Sequence, residues 1–102
     1  MTVLQLKARR DANDAHVVLD VREPYEVATA ALTGALTIPM AQIPLSLAQL
    51  PADRPIVVMC HHGARSAQVT SFLHANGYPN AVNLDGGIDA WSVHVDPAVA
   101  RY

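Results

Sequence analysis

Two short runs, His16-Val17-Val18-Leu19-Asp20-Val21 and Ile56-Val57-Val58-Met59, are almost unbroken in apolar, β-branched residues. A strand with one wet face alternates apolar and polar residues. Runs without that alternation suit strands covered on both faces, which is the condition of a parallel sheet flanked by helices. Two weaker strand candidates, Ala35-Leu36-Thr37-Ile38 and Ala81-Val82-Asn83-Leu84, lie further along, and helical patterns separate the four. This alternation predicts an α/β fold: a small parallel sheet with helices on both faces.

The helices can be placed from their ends. Thr2 and Gln5 form a capping-box pattern ahead of Val3, Leu6 and Ala8-Arg9-Arg10, and Asn13-Asp14 closes that helix. Pro24 opens a second, short helix, where its missing N–H costs nothing. Ile43, Leu47 and Leu50 recur at helical spacing between Gln42 and Leu50, with Pro44 placed in the first turn and Pro51 after the end. A further helix is expected over Ser66 to Asn76, stopped by Gly77, and a last short one around Ile88 to Trp91 after Asp85-Gly86-Gly87. Residues 92–102 show no clear period and are expected to pack as a loop or fray. A length of 102 residues gives room for one domain, expected over 1–102.

Composition narrows the function. With 51% hydrophobic against 16% charged residues the chain is globular, and a net charge of −2 without any Lys/Arg cluster gives no footprint for nucleic acid. No run approaches the ~18 apolar residues of a membrane span, and the N-terminus has no basic segment leading into an apolar one. The lone cysteine cannot form an intramolecular disulfide, which suits a reducing, cytoplasmic setting.

That cysteine opens the stretch Cys60-His61-His62-Gly63-Ala64-Arg65-Ser66, between the second apolar run and a helix. A loop in this position collects free backbone N–H groups and the positive end of the helix dipole, and both favour an anion. A thiolate fits. Such cysteines have their pKa lowered from about 8.5 to roughly 3.5–7.5, which makes them nucleophiles at neutral pH. A free cysteine is otherwise a small buried hydrophobe. Gly63, able to take positive φ, and Arg65, with its planar fork of donors, favour the nucleophile.

The same loop resembles the active-site loop of rhodanese-like sulfurtransferases. The resemblance extends through Leu19-Asp20-Val21-Arg22-Glu23, Gly34-Ala35, Ile38-Pro39 and Gly86-Gly87-Ile88-Asp89-Ala90-Trp91. It implies a rhodanese-like fold with the loop at the carboxyl end of a central strand, where open α/β sheets hold ligands. It also implies that Cys60 takes sulfane sulfur from a small donor such as thiosulfate and passes it, as a persulfide, to cyanide, a thiol or a protein acceptor. Two features depart from the family pattern. Only Met1 and Thr2 remain to form its first edge strand, and Ala30-Ala31-Leu32 stands where many members carry Gly-His-Ile.

His61, His62, Gly63, Ala64, Arg65 and Ser66 are the candidate substrate-binding residues around catalytic Cys60. Arg65 could hold an anionic donor or brace the loop against an acidic neighbour, and Ser66 could cap the helix or bond the thiolate. The histidines are expected at the pocket mouth, where an imidazolium would favour the thiolate. Adjacent Cys-His-His lacks the spacing of a zinc site, and His16, His74 and His94 are scattered, so neither a metal nor another cofactor is expected. The resemblance gives Asp20 a bond to the loop backbone and Arg22 a bracing role; the plain alternative is a surface ion pair. Gly86, Gly87 and Trp91 are read as structural.

Two rival functions remain. Cysteine-dependent phosphatases, with arsenate reductases beside them, carry one residue more between cysteine and arginine than the four found here, and the shorter loop favours one sulfur atom over a tetrahedral phosphate. The other rival is a binding or regulatory module that keeps the fold without turnover. An intact Cys60 argues against it.

Overall fold

A computed structural model describes residues 1–102. Four strands, β1 (Val17–Asp20), β2 (Leu36–Thr37), β3 (Ile56–Met59) and β4 (Ala81–Asn83), form one parallel sheet in the order β2-β1-β3-β4. The two apolar runs therefore occupy the centre, paired from Val17 opposite Ile56 to Asp20 opposite Met59. Their composition follows from that position. Every residue of β3 is buried, because the sheet is covered on both faces.

Strand alternation divides the core in two. Leu19, Val21, Ile56, Val58 and Cys60 face one side, together with Val69 and Leu73 of helix α3 (Ala64–Ala75). Val18, Val57 and Met59 face the other, against Val3 and Leu6 of α1 (Val3–Asp11) and Ile88 and Trp91 of α4 (Gly87–His94). The fourth helix, α2 (Pro24–Thr29), buries only Glu26.

The capping box of α1 forms as its sequence indicates: the Thr2 hydroxyl accepts from the Gln5 amide at 3.1 Å, and the Gln5 side chain accepts from the Thr2 amide at 2.8 Å. Of the missing edge strand only a trace survives. The backbone nitrogen of Met1 donates to the Asn83 carbonyl, and the Asp85 amide donates to Met1, so one residue pairs with the end of β4.

Three boundaries differ from expectation. The single helix expected over Gln42 to Leu50 is two 3-10 turns, Met40–Leu45 and Leu47–Gln49, broken at Ser46. Pro44 falls inside the first turn; it has no N–H to donate and crowds the preceding turn, so an α-helix cannot run through it. The apolar spacing correctly marked Ile43 and Leu50 as buried while misreading the helix type. Helix α3 begins at Ala64 rather than Ser66, because Gly63 at φ +108° serves as its N-cap. Helix α4 continues past Trp91 to His94, and the tail beyond it folds back: the Ser92 hydroxyl donates to Val99, which packs on the Trp91 side of the core.

Leu19 is fully enclosed between β2 and β3, whereas Leu45 is 91% exposed. Leu19→Ala is expected to lower unfolding free energy by about 3 kcal/mol and Leu45→Ala by less than about 0.5 kcal/mol, read from urea denaturation midpoints.

Candidate active site

Cys60 directly follows β3, so the sheet delivers its sulfur to the carboxyl edge, 1% exposed. Sγ accepts from the Gly63 amide at 3.1 Å and from the Ser66 hydroxyl at 3.3 Å. Burial alone would push the thiol up. Hydrogen bonds from the Ser66 hydroxyl and from the backbone N–H groups of Ser66, Gly63 and His62 outweigh it, and the thiol lies below its ordinary value. Ser66 thus bonds the sulfur rather than capping α3, whose N-cap is Gly63.

The turn that aims these donors is held from outside. The first turn of α4 has unpaired N–H groups; the Ile88 amide donates to the Cys60 carbonyl at 3.0 Å and the Asp89 amide to the His61 carbonyl at 3.1 Å. With the His61 carbonyl drawn outward, the His62 amide on the other side of that peptide turns toward the sulfur. So close an approach requires glycine. Gly87 sits at φ +60°, and a Cβ there would lie 2.4 Å from the Cys60 carbonyl oxygen and 2.5 Å from that of His61.

The Arg65 guanidinium forms a fork with Glu26, Nη1 to Oε1 at 2.7 Å and Nη2 to Oε2 at 2.8 Å. Of the two roles open to it in the sequence, bracing is the one this geometry displays. The Arg65 guanidinium holds the Glu26 carboxyl down at about 2 against the opposing effect of burial, with help from Tyr102 and the Glu23 amide. Arg65 is raised in return. Ala64 opens α3 and is exposed.

Asp20 and Arg22 are buried, at 1% and 0% exposure, so they are not a surface pair. The bond from Asp20 to the loop backbone is corrected: its carboxylate accepts from the Arg22 amide at 3.1 Å, from Nε at 2.9 Å and from Nη2 at 2.6 Å. A buried guanidinium so close claims the whole carboxylate. Arg22 does brace its surroundings, donating to the carbonyls of Ala30 and Glu26 and to the Tyr102 hydroxyl.

His61 is stacked between His62 and Tyr102, with ring centroids 3.9 Å and 3.8 Å away. Its Nε2 is enclosed and has no hydrogen-bond partner. Burial, then the charge of His62, pushes the His61 pKa below that of a free imidazole, which disfavours the expected imidazolium there. Ligand atoms of His61, His62 and Asp89 come within 4.8 Å of one another, a convergence the sequence spacing did not suggest. Stacked planes do not aim two lone pairs at one point, and Asp89 is already held by Arg101 at 2.9 Å and 3.3 Å. The cluster is therefore one of stacking and charge.

Sequence reasoning missed Glu26 and Tyr102. Glu26 had a faint signal, an acid three residues after Glu23 in a helix opened by Pro24; its carboxylate accepts from the Glu23 amide at 3.1 Å. Tyr102 had none.

A family model, the rhodanese-like domain, matches residues 2–94. The chain belongs to the rhodanese-like domain family. A protein of Allochromatium vinosum named sulfurtransferase is 42% identical over 84 residues, covering 82% of this chain and 78% of that one. The thiosulfate sulfurtransferase GlpE of Tolumonas auensis is 35% identical over 81 residues, covering 79% and 76%. Other curated relatives are longer, and the match spans 31% and 26% of two of them. Among solved structures, a rhodanese-related protein from Thermoplasma volcanium superposes with a TM-score of 0.86 at 31% identity, over 100% of this chain and 97% of that one. The fold is the rhodanese fold, and the sheet lies where the sequence resemblance had implied.

Two expectations test this arrangement. Because the Glu26 carboxyl is held at about 2 in the folded chain and lies near 4.3 when unfolded, its ionisation stabilises the fold above roughly pH 4.3. That contribution is lost as pH falls toward 2. Glu26→Gln is expected to cost roughly 3 kcal/mol at pH 7 and to flatten the acid limb of stability against pH, measured by denaturant unfolding at stepped pH. Gly87→Ala is expected to push the Cys60 and His61 carbonyls out of place and bring the thiol back toward the free value of about 8.5, read from Cys60 alkylation against pH.

Proposed function

We propose that this protein is a sulfurtransferase that carries sulfane sulfur on Cys60, from a donor such as thiosulfate to cyanide, a thiol or a protein acceptor. The observation that carries the reading is the convergence of the Gly63 amide and Ser66 hydroxyl on Sγ. The names of two relatives, a sulfurtransferase and a thiosulfate sulfurtransferase, support the same class of reaction. A cytoplasmic setting suits a lone free thiol.

In this cycle the Cys60 thiolate attacks the outer sulfur of thiosulfate. A new S–S bond forms, the S–S bond of thiosulfate breaks, and sulfite leaves with the electron pair. After loading, the negative charge lies on the outer sulfur of the persulfide, and it returns to Sγ, among the same donors, as the acceptor takes that sulfur. An acceptor nucleophile then attacks the outer sulfur and the Cys60 thiolate departs; with cyanide the product is thiocyanate. Covalent storage divides one transfer between two anions into two displacements. Because the loop donors favour the thiolate, this cycle assigns no base role to His61.

Engagement of Arg65 with Glu26 weakens the phosphatase alternative, since a phosphate would need that fork for itself. Incubation with thiosulfate followed by intact-mass spectrometry is expected to show one added sulfur on the protein and none on Cys60→Ser. Thiocyanate production by the variant should fall to background. Aryl-phosphate hydrolysis without any sulfur gain would overturn the proposal.

A further inference from the structure

Tyr102 is 41% exposed, yet three contacts fix it over the Cys60 loop. Its hydroxyl donates to Glu26 Oε2 at 2.7 Å and accepts from Arg22 Nη1 at 3.0 Å. Its ring lies flat on His61, centroids 3.8 Å apart and planes within 7°. One hydroxyl therefore joins the Arg22–Asp20 pair at the end of β1 to the Glu26–Arg65 pair between α2 and α3, while the ring covers a loop side chain. The preceding residue reinforces this: Arg101 holds Asp89, whose amide takes the His61 carbonyl.

We infer that Tyr102 is a positioning residue for the Cys60 loop: it clamps the His61 ring and ties together the two ion pairs that flank the loop, which keeps the loop amides aimed at Sγ. The mechanism runs through peptide orientation. His61 is the first residue after the nucleophile, and a ring pinned on both faces limits rotation of the peptide whose carbonyl must stay with Asp89. A loop free to rotate there would spread its donors, and preorganised donors lose value as their distance from the charge grows. The inference deepens the sulfur-transfer reading and rests on Cys60 as its nucleophile.

The charged and titratable groups around the thiol are Arg65 on α3, Glu26 on α2, the Arg22–Asp20 pair after β1, His61 and His62 in the loop, and Asp89 of α4 with Arg101 beside it. Replacing Tyr102 removes none of these charges. A shift in Cys60 titration would then report donor geometry rather than a lost charge.

The test is the pH midpoint of Cys60 alkylation by iodoacetamide, which is independent of how easily the reagent enters, together with thiosulfate loading of the same proteins. Tyr102→Ala is expected to raise the midpoint by about one pH unit, a tenfold loss of thiolate below the midpoint. Tyr102→Phe, which keeps the stack and loses the hydroxyl, is expected to fall between wild type and Tyr102→Ala. Midpoints equal to wild type in both variants would overturn the inference. Should Tyr102→Ala fail to fold, a wild-type midpoint in Tyr102→Phe would do the same. A wild-type protein that shows the lowered midpoint but gains no sulfur from thiosulfate would remove the sulfur-transfer reading and leave the positioning role of Tyr102 standing.

Discussion

The donation of two α4 amides to the carbonyls of Cys60 and His61 decides how the peptide planes of the loop are turned. A carbonyl and the amide that follows it point in opposite directions across one planar unit. Once the His61 carbonyl is drawn to α4, the His62 amide has to face the other way, toward Cys60. Part of the donor set around the sulfur is therefore held by a neighbouring helix. It also explains why residue 87 has no side chain, since any Cβ there would occupy the space of the two carbonyl oxygens.

The charges of the site form two layers. Nearest the sulfur are dipoles only, amides and one hydroxyl, with no formal cation in hydrogen-bond contact. Outside them lie two ion pairs, each nearly neutral as a unit, whose worth is geometric. Burying Arg22 and Asp20 would cost several kcal/mol per ion if either were alone. Their mutual hydrogen bonds, with the carbonyls of Ala30 and Glu26, meet that cost and lock the end of β1 to α2. Arg65 does the same from α3, so three elements around the loop are joined through Glu26 and Tyr102.

What was legible in the sequence was local. The two apolar runs disclosed the sheet centre because double-sided burial leaves an unbroken apolar signature, and Cys60 with Gly63 disclosed the loop because its turn is written in consecutive residues. Contacts between distant residues were not legible: Arg65 meets Glu26 across 39 positions, and Tyr102 meets it across 76. For Asp20 the family resemblance implied the loop backbone as partner, whereas the plain alternative, an ion pair with Arg22, named the right partner and missed only its burial. The segment from Met40 to Gln49 shows a different limit. Ile43 and Leu50 need only reach the core, and 3-10 turns around Pro44 bring them there as well as an α-helix would.

Burial of Sγ sets a condition on the chemistry. At 1% exposure Cys60 offers incoming reagents a narrow approach, which favours a donor that can present a single projecting sulfur atom over a bulky electrophile. In the proposed cycle, loading changes the geometry of the second step. The outer sulfur of a persulfide lies about 2 Å beyond Sγ, so the atom to be attacked stands further out than the thiolate that acquired it. The Gly63 amide and Ser66 hydroxyl bond Sγ itself, the atom to which negative charge returns in the proposed second displacement. In the proposed cycle the same dipoles that favour the attacking thiolate in the first displacement favour the leaving thiolate in the second, so one fixed set of donors suffices for both halves.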